Sequence, residues 1–91
     1  MRVRNKKYLS WVRQQPSVIS GQYACDPHHI IGHGQGGMGL KASDLFAFPL
    51  TRFEHIELHQ HGWKTWEEKH GSQWRFVAET LHRAVEEEAI L

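Results

Sequence analysis

Four histidines are spaced so that they could work on one ion and one water. His55 and His59 stand four apart in RFEHIELH. On a helix that spacing sends both imidazoles from one face a turn apart, where two side chains can hold one metal ion. His28 and His29 are adjacent in CDPHHIIGHGQGGMG, which continues with His33 and five glycines. Imidazole has an ordinary pKa of about 6.5, so near neutral pH it can bind a divalent ion or accept a proton from water. The zinc-protease pattern is excluded, because it needs Glu directly after the first histidine. Ile56 occupies that place, and Glu57 points to another face. GHGQGG satisfies G-x-G-x-x-G at Gly32, Gly34 and Gly37, but no helix signal follows it and the chain is too short for a dinucleotide-binding fold. These glycines read instead as backbone freedom for a sharp turn or a close approach to substrate.

The elements that position these residues must come from 91 residues, one domain's worth, with 40% hydrophobic residues and four tryptophans. A chain of that size buries only roughly 60–65% of its unfolded surface, so help from metal, partner or dimer is plausible. A single cysteine, Cys25, permits no intramolecular disulfide and fits a reducing compartment. Neither the apolar core of a signal peptide nor a membrane-length apolar window is visible, so the expectation is a cytoplasmic protein without a membrane partner. Net charge is only +1 but uneven: Arg2, Arg4, Lys6, Lys7 and Arg13 precede any acid, and Glu86, Glu87 and Glu88 lie near the other end. The basic arm reads equally as a phosphate contact or as a solvated helix face. The acidic run reads as a solvated helix end.

Tyr8, Trp11 and Val12 predict a short amphipathic helix over about residues 4–15, ended by Pro16. SVIS, Gly21 and YACDPHHII suggest a turn and two extended segments, with Pro27 marking an edge or bend. Residues Gly32 to Gly39 read as loop, and DLFAFPL (44–50) as a second strand opening at Asp44. Thr51 and Glu54 form a capping box for a helix that stops at Gly62. TWEEKHG suggests a short helical turn. Trp74, Val77, Leu81 and Val85 form the apolar stripe of a last helix over about 72–90. The class is α+β: one domain, 1–91, with a hairpin-and-helix core over about 17–62 flanked by helices. Adjacent strand residues face opposite ways, so His28 and His29 could share a site only at a strand end or bulge, which Pro27 and Gly32 make credible. Trp63, Trp66 and Trp74 could stack on bases but read more readily as core, and His61, His70 and His82 are given no catalytic role.

Paired histidines on a strand, a glycine loop, a second strand and a helix bearing H-x-x-x-H together resemble the HNH, or ββα-metal, nuclease family over about residues 17–60. The histidine pattern is similar to that of colicin-type HNH DNases. DPHHIIGHGQGGMG, DLF…PL and EKHGSQ resemble still more closely the phage-encoded recombination-enhancement nucleases of the Ref type. The resemblance implies a metal-dependent DNA endonuclease or nickase of phage or prophage recombination. By position, His29 matches the general base, and His28, His55 and His59 the metal ligands. Asp44 stands where the family often has the Asn that orients the base, and Arg52 is a candidate for the phosphate. One divalent ion is implied; three imidazoles suit zinc, while magnesium or manganese could serve activity.

DNA is the implied partner, contacted by Arg2, Arg4, Lys6, Lys7, His33 and Lys41. His33 reads alternatively as an accessory ligand or an ordinary loop residue. The resemblance further implies the host RecA filament on single-stranded DNA as a directing partner. No separate module for sequence readout is visible. Many relatives carry two Cys-x-x-Cys zinc knuckles; the corresponding places here are Ser17 and Ser20, then Thr51 and Glu54, which are poor zinc ligands. The capping box and tryptophan-rich helices are expected to stabilise the fold instead, with Cys25 as a small buried residue. Two rival readings remain: a non-catalytic DNA- or protein-binding module on the same scaffold, and a toxin-like DNase domain.

Overall fold

The computed structural model describes residues 2–35 and 41–89. Gly37 and the rest of the glycine loop over 36–40 lie outside them. The last helix stops at Glu86, short of the expected residue 90, because the chain turns at Glu87 and Glu88 takes φ +58°. The chain is α+β, an antiparallel two-stranded hairpin with four α-helices. Helix α1 spans Lys6–Arg13, shorter at both ends than the expected 4–15. Asn5 is its N-cap, its side chain accepting from the Tyr8 N–H, and the restriction that Pro16 places on Gln15 stops it before the proline.

Strand β1 (Cys25–His29) pairs with β2 (Ala47–Thr51) in the register Cys25↔Thr51 through His29↔Ala47. Pro27 faces Pro49 across the ladder. In a two-stranded sheet both strands are edges, where a missing N–H is tolerated. Two expectations are corrected here. Residues 17–24 hold no second strand, because the Ser17 hydroxyl accepts from the N–H groups of Ile19 and Ser20 and folds SVIS into a turn. Asp44 does not open β2 either. Asp44–Phe46 is a 3-10 turn capped by Ser43, and the strand begins at Ala47.

Thr51 ends β2 and starts helix α2 (Arg52–His61), with both hydrogen bonds of its capping box to Glu54 formed. Gly62, at φ +82°, ends α2 and turns the chain into α3 (Trp63–His70). That segment is two full turns of helix, anchored by the buried Trp66, rather than the short turn expected. Helix α4 spans Gln73–Glu86. Its buried face is Gln73, Phe76, Val77, Thr80 and Ala84, so the expected stripe is rotated: Trp74 and Val85 are 36% and 53% exposed. Polar Gln73 and Thr80 hide that face from a purely apolar pattern.

The main core joins Ile30, Phe48 and Leu50 of the hairpin region to Leu58, Trp66, Phe76 and Val77 of the helices. Tyr8 and Val12 of α1 form a second cluster with Ala84 of α4. Ser17, Ser20, Thr51 and Glu54 do meet, as a hydrogen-bonded knot. Glu54 Oε1 accepts from Ser17 Oγ at 2.5 Å and from the Thr51 N–H at 2.8 Å. Cys25 is buried, and that burial, with Glu54 and Asp26 nearby, pushes its thiol up to about 11. It is an inert small residue.

Candidate metal centre

β1 turns His28 into the protein, where the ring is 1% exposed and lies edge-on to Phe48 at 5.0 Å between centroids. The first residue after the strand, Ile30, is buried as well, so the end of β1 is pinned from both sides of the pair. Because α2 follows β2 without a linker, its inner face comes back over β1. His55 and His59 are thereby stacked one turn apart, with ring centroids separated by 4.8 Å. Their centroids lie 4.9 and 6.0 Å from that of His28. One ring nitrogen from each of the three histidines falls within 4.8 Å of the other two. Tetrahedral zinc at its usual Zn–N length needs about 3.3 Å between nitrogens, so ligation would draw the three rings somewhat closer together.

Two further observations fit an ion. Burial, with smaller contributions from His55, His59 and His29, brings His28 down to about 3 against an opposing contact from Gln73. Burial and His59 also lower His55, with Asp26 pulling the other way. His28 and His55 are thus biased to the neutral form that binds metal. His28 Nδ1 is also buried without any hydrogen-bond partner among the described residues. Tyr8 Oη and Trp66 Nε1 share that condition, but neither offers an imidazole lone pair. On the solvent side, Asp26 Oδ2 stands 3.9 Å from His55 Nδ1, beyond hydrogen-bond distance, and accepts from Arg52 Nε instead.

His29 is the last residue of β1, and its Nε2 lies 2.7 Å from Asp44 Oδ1. Asp44 is itself fixed: its Oδ2 accepts from the Asn5 N–H at 2.7 Å, and Arg4 Nη1 reaches Oδ1 at 3.4 Å. Burial would raise the Asp44 carboxyl, but His29, Asn5 and Arg4 together outweigh it and hold the group below its ordinary value. The ladder stays regular through His28 and His29, so the bulge expected between them is absent and only the strand-end condition is met. His28 accordingly meets α2, while His29 meets the turn that begins at Asp44.

The remaining predicted residues divide. Arg52 Nε donates to Asp26 Oδ2 at 2.8 Å, and Asp26, Arg52, His55, Ile56, His59 and Gln60 line one shallow cleft. Arg2, Lys6, Lys7 and Lys41 are exposed. Arg4 donates to the carbonyls of Ala42 and Lys41, tying the basic arm to the segment that carries Asp44. His33 is engaged inward, 2.7 Å from Glu67 Oε2 and packed on Trp63 at 4.5 Å. Gly32 shows why glycine precedes it: a Cβ there would stand 2.2 Å from the Trp63 indole. Sequence reasoning missed Asp26 and Gln73. Asp26 carried a signal, lying two residues before His28 on the same strand face. Gln73 carried none.

A hairpin feeding directly into a helix, with three imidazoles converging between them, defines the class: a small α+β protein with a histidine cluster suited to a cation. Residues 1–87 match the family described as "Protein of unknown function (DUF968)", and the chain belongs to that family. It is similar to the Escherichia coli (strain K12) protein named "Uncharacterized protein YdfU", at 50% identity over 80 residues. The match covers 88% of this chain and 23% of that protein, so the chain spans less than a quarter of its relative's length. No solved structure matches the chain. Among the described residues, no helix is long and apolar enough to cross a membrane.

Proposed function

We propose that this chain is a metal-dependent DNA endonuclease of the ββα-metal kind, nicking or cutting phosphodiester bonds in phage or prophage recombination inside a bacterial host. The observation that carries this reading is the convergence of His28, His55 and His59, each with one ring nitrogen within 4.8 Å of the others. A divalent ion held there would offset charge on the phosphate and on the departing 3′ oxygen; zinc suits the donors best, with magnesium or manganese as activity partners. Asp44 Oδ1 accepts from His29 Nε2–H, which leaves the His29 lone pair at Nδ1 to take a proton from water as the water oxygen attacks phosphorus. Arg52, on the rim of the same cleft, is placed to exchange Asp26 for a phosphate oxygen. Lys6, Lys7, Arg2, Arg4 and Lys41 supply sequence-independent attraction to the backbone. Direction by a RecA filament is the remaining part of the proposal, resting on the resemblance to Ref-type nucleases.

The regular register through His28 and His29 favours one other reading, a DNA- or protein-binding module that uses the cation only for stability. Nicking of supercoiled plasmid with zinc, magnesium or manganese separates the two. The wild type should cut, His29→Ala should bind metal without cutting, and His59→Ala should lose metal as well. Equal cleavage by wild type and His29→Ala would remove the proposed base.

A further inference from the structure

One residue behind the histidine cluster decides how His28 can meet a cation. Gln73, the first residue of α4, is fully buried. Its side-chain amide lies along the backbone of Ile31: Oε1 accepts from the Ile31 N–H at 3.1 Å and Nε2 donates to the Ile31 carbonyl at 2.9 Å. Nε2 also donates to Glu67 Oε2 at 3.2 Å. Reversing the amide would set a donor against the Ile31 N–H and an oxygen against both a carbonyl and a carboxylate. Its orientation is therefore dictated by three contacts from two residues, Ile31 and Glu67, neither of them His28.

The same Oε1 lies 3.2 Å from His28 Nε2. Since that oxygen can only accept, Nε2 must carry a proton for the contact to be a hydrogen bond. A buried imidazole beside two others holds a single ring proton, so its lone pair is on Nδ1. Nδ1 is also the atom left without a partner. We infer that Gln73 is a positioning residue for the metal centre, fixing His28 as the Nε2–H tautomer so that Nδ1 faces the cation. Glu67 extends the arrangement: its Oε2 accepts from the Gln73 backbone N–H at 3.1 Å and meets His33 at 2.7 Å. The start of the glycine loop and the buried ligand thus hang on one amide.

This inference rests on the proposed cation site, but its first test needs no cation. Long-range 15N–1H correlation spectra of the metal-free wild type should show His28 protonated on Nε2, and protonation on Nδ1 would overturn the assignment. Titration with zinc ion should then move the Nδ1 resonance. Gln73→Leu, confirmed folded by its other ring and backbone resonances, should lose the single tautomer and bind zinc about 10–100-fold more weakly, the usual effect of losing such a partner. Unchanged tautomer and unchanged zinc affinity in Gln73→Leu would overturn the role given to Gln73. A wild type that shows the expected tautomer yet takes up no zinc supports the Gln73 assignment and removes the metal-centre reading instead.

Discussion

Two faces of α2 meet the hairpin in opposite ways. At the first turn Glu54 closes a knot with Ser17 and Thr51 in which each polar group answers another. On the neighbouring face His55, which directly follows Glu54, and His59 one turn on meet His28, and there a buried nitrogen is left over. An unmade hydrogen bond at a buried group costs about 1–3 kcal/mol. A fold tolerates that where something else completes the set. The closed knot is therefore read as structure, and the open cluster as a place for a ligand.

The largest expected effect lies at His29, which leaves β1 on the side away from His28. His29→Ala should slow plasmid nicking by about 10²–10⁴-fold, the usual worth of a positioned base, while zinc uptake is unchanged. Nicking rates beside a zinc titration check this, and equal loss of both would place His29 among the ligands instead. Next comes the cation itself. Zinc at a hundred times its dissociation constant should add about 2.7 kcal/mol of stability, a rise of about 10–20 °C in melting temperature for a domain this small. His59→Ala should erase that rise. A melting curve indifferent to zinc in the wild type would make the histidine face as closed as the other.

The closed face should respond to mutation alone. Glu54→Ala removes the capping box and strands the buried Ser17 hydroxyl, costing about 2 kcal/mol in thermal or urea unfolding. Zinc should then raise the melting temperature by the same amount as in the wild type. A lost zinc response would mean that the two faces of α2 are one cooperative unit and that the contrast between them is false.

What was legible from sequence follows the same division. The Thr51 and Glu54 capping box and the His55 and His59 pair are local patterns, set by helix spacing, and both stand where the residues implied. The hairpin and its pairing with α2 followed from order along the chain. The misread parts depend on polar side chains that bond to backbone, close by for Ser17 and Ser43 and far along the chain for Gln73. Ser17 folds SVIS into a turn by capping its own backbone, Ser43 does the same for DLF, and Gln73 buries a polar residue at the head of α4. Apolar periodicity carries no trace of any of them. Asp44 lies beside His29, but the Asn5 N–H and Arg4 that fix it come from the arm whose sequence reads equally as a phosphate contact or a solvated helix face.

A smaller effect should appear on acidification. Asp44 titrates below the ordinary carboxyl value, near 3.9, when folded. The sign follows: a lowered folded pKa gives stability that is present above the unfolded value and lost as pH falls through the folded one. Wild type should therefore lose stability below about pH 4, and Asp44→Asn should show a shallower acid limb in urea unfolding measured across pH. An unchanged limb would assign the acid sensitivity to other carboxylates.

The smallest effect concerns the rim of the open face. Arg52 is exposed, and its bond to Asp26 is a surface ion pair of the kind that adds little to folding. Arg52→Ala should leave the melting temperature where it is. If Arg52 serves a phosphate, the same change should weaken binding to duplexes of unrelated sequence alike and reduce the slope of log affinity against log salt by about 1. The contrast with Lys7, exposed on α1 away from this cleft, sharpens the point. Both should lower the salt slope if both touch backbone, but only Arg52→Ala should also slow nicking at saturating DNA, because only Arg52 shares a cleft with His55 and His59. Parallel behaviour of the two variants would reduce Arg52 to one more surface charge and leave the phosphate near the histidines without a protein cation.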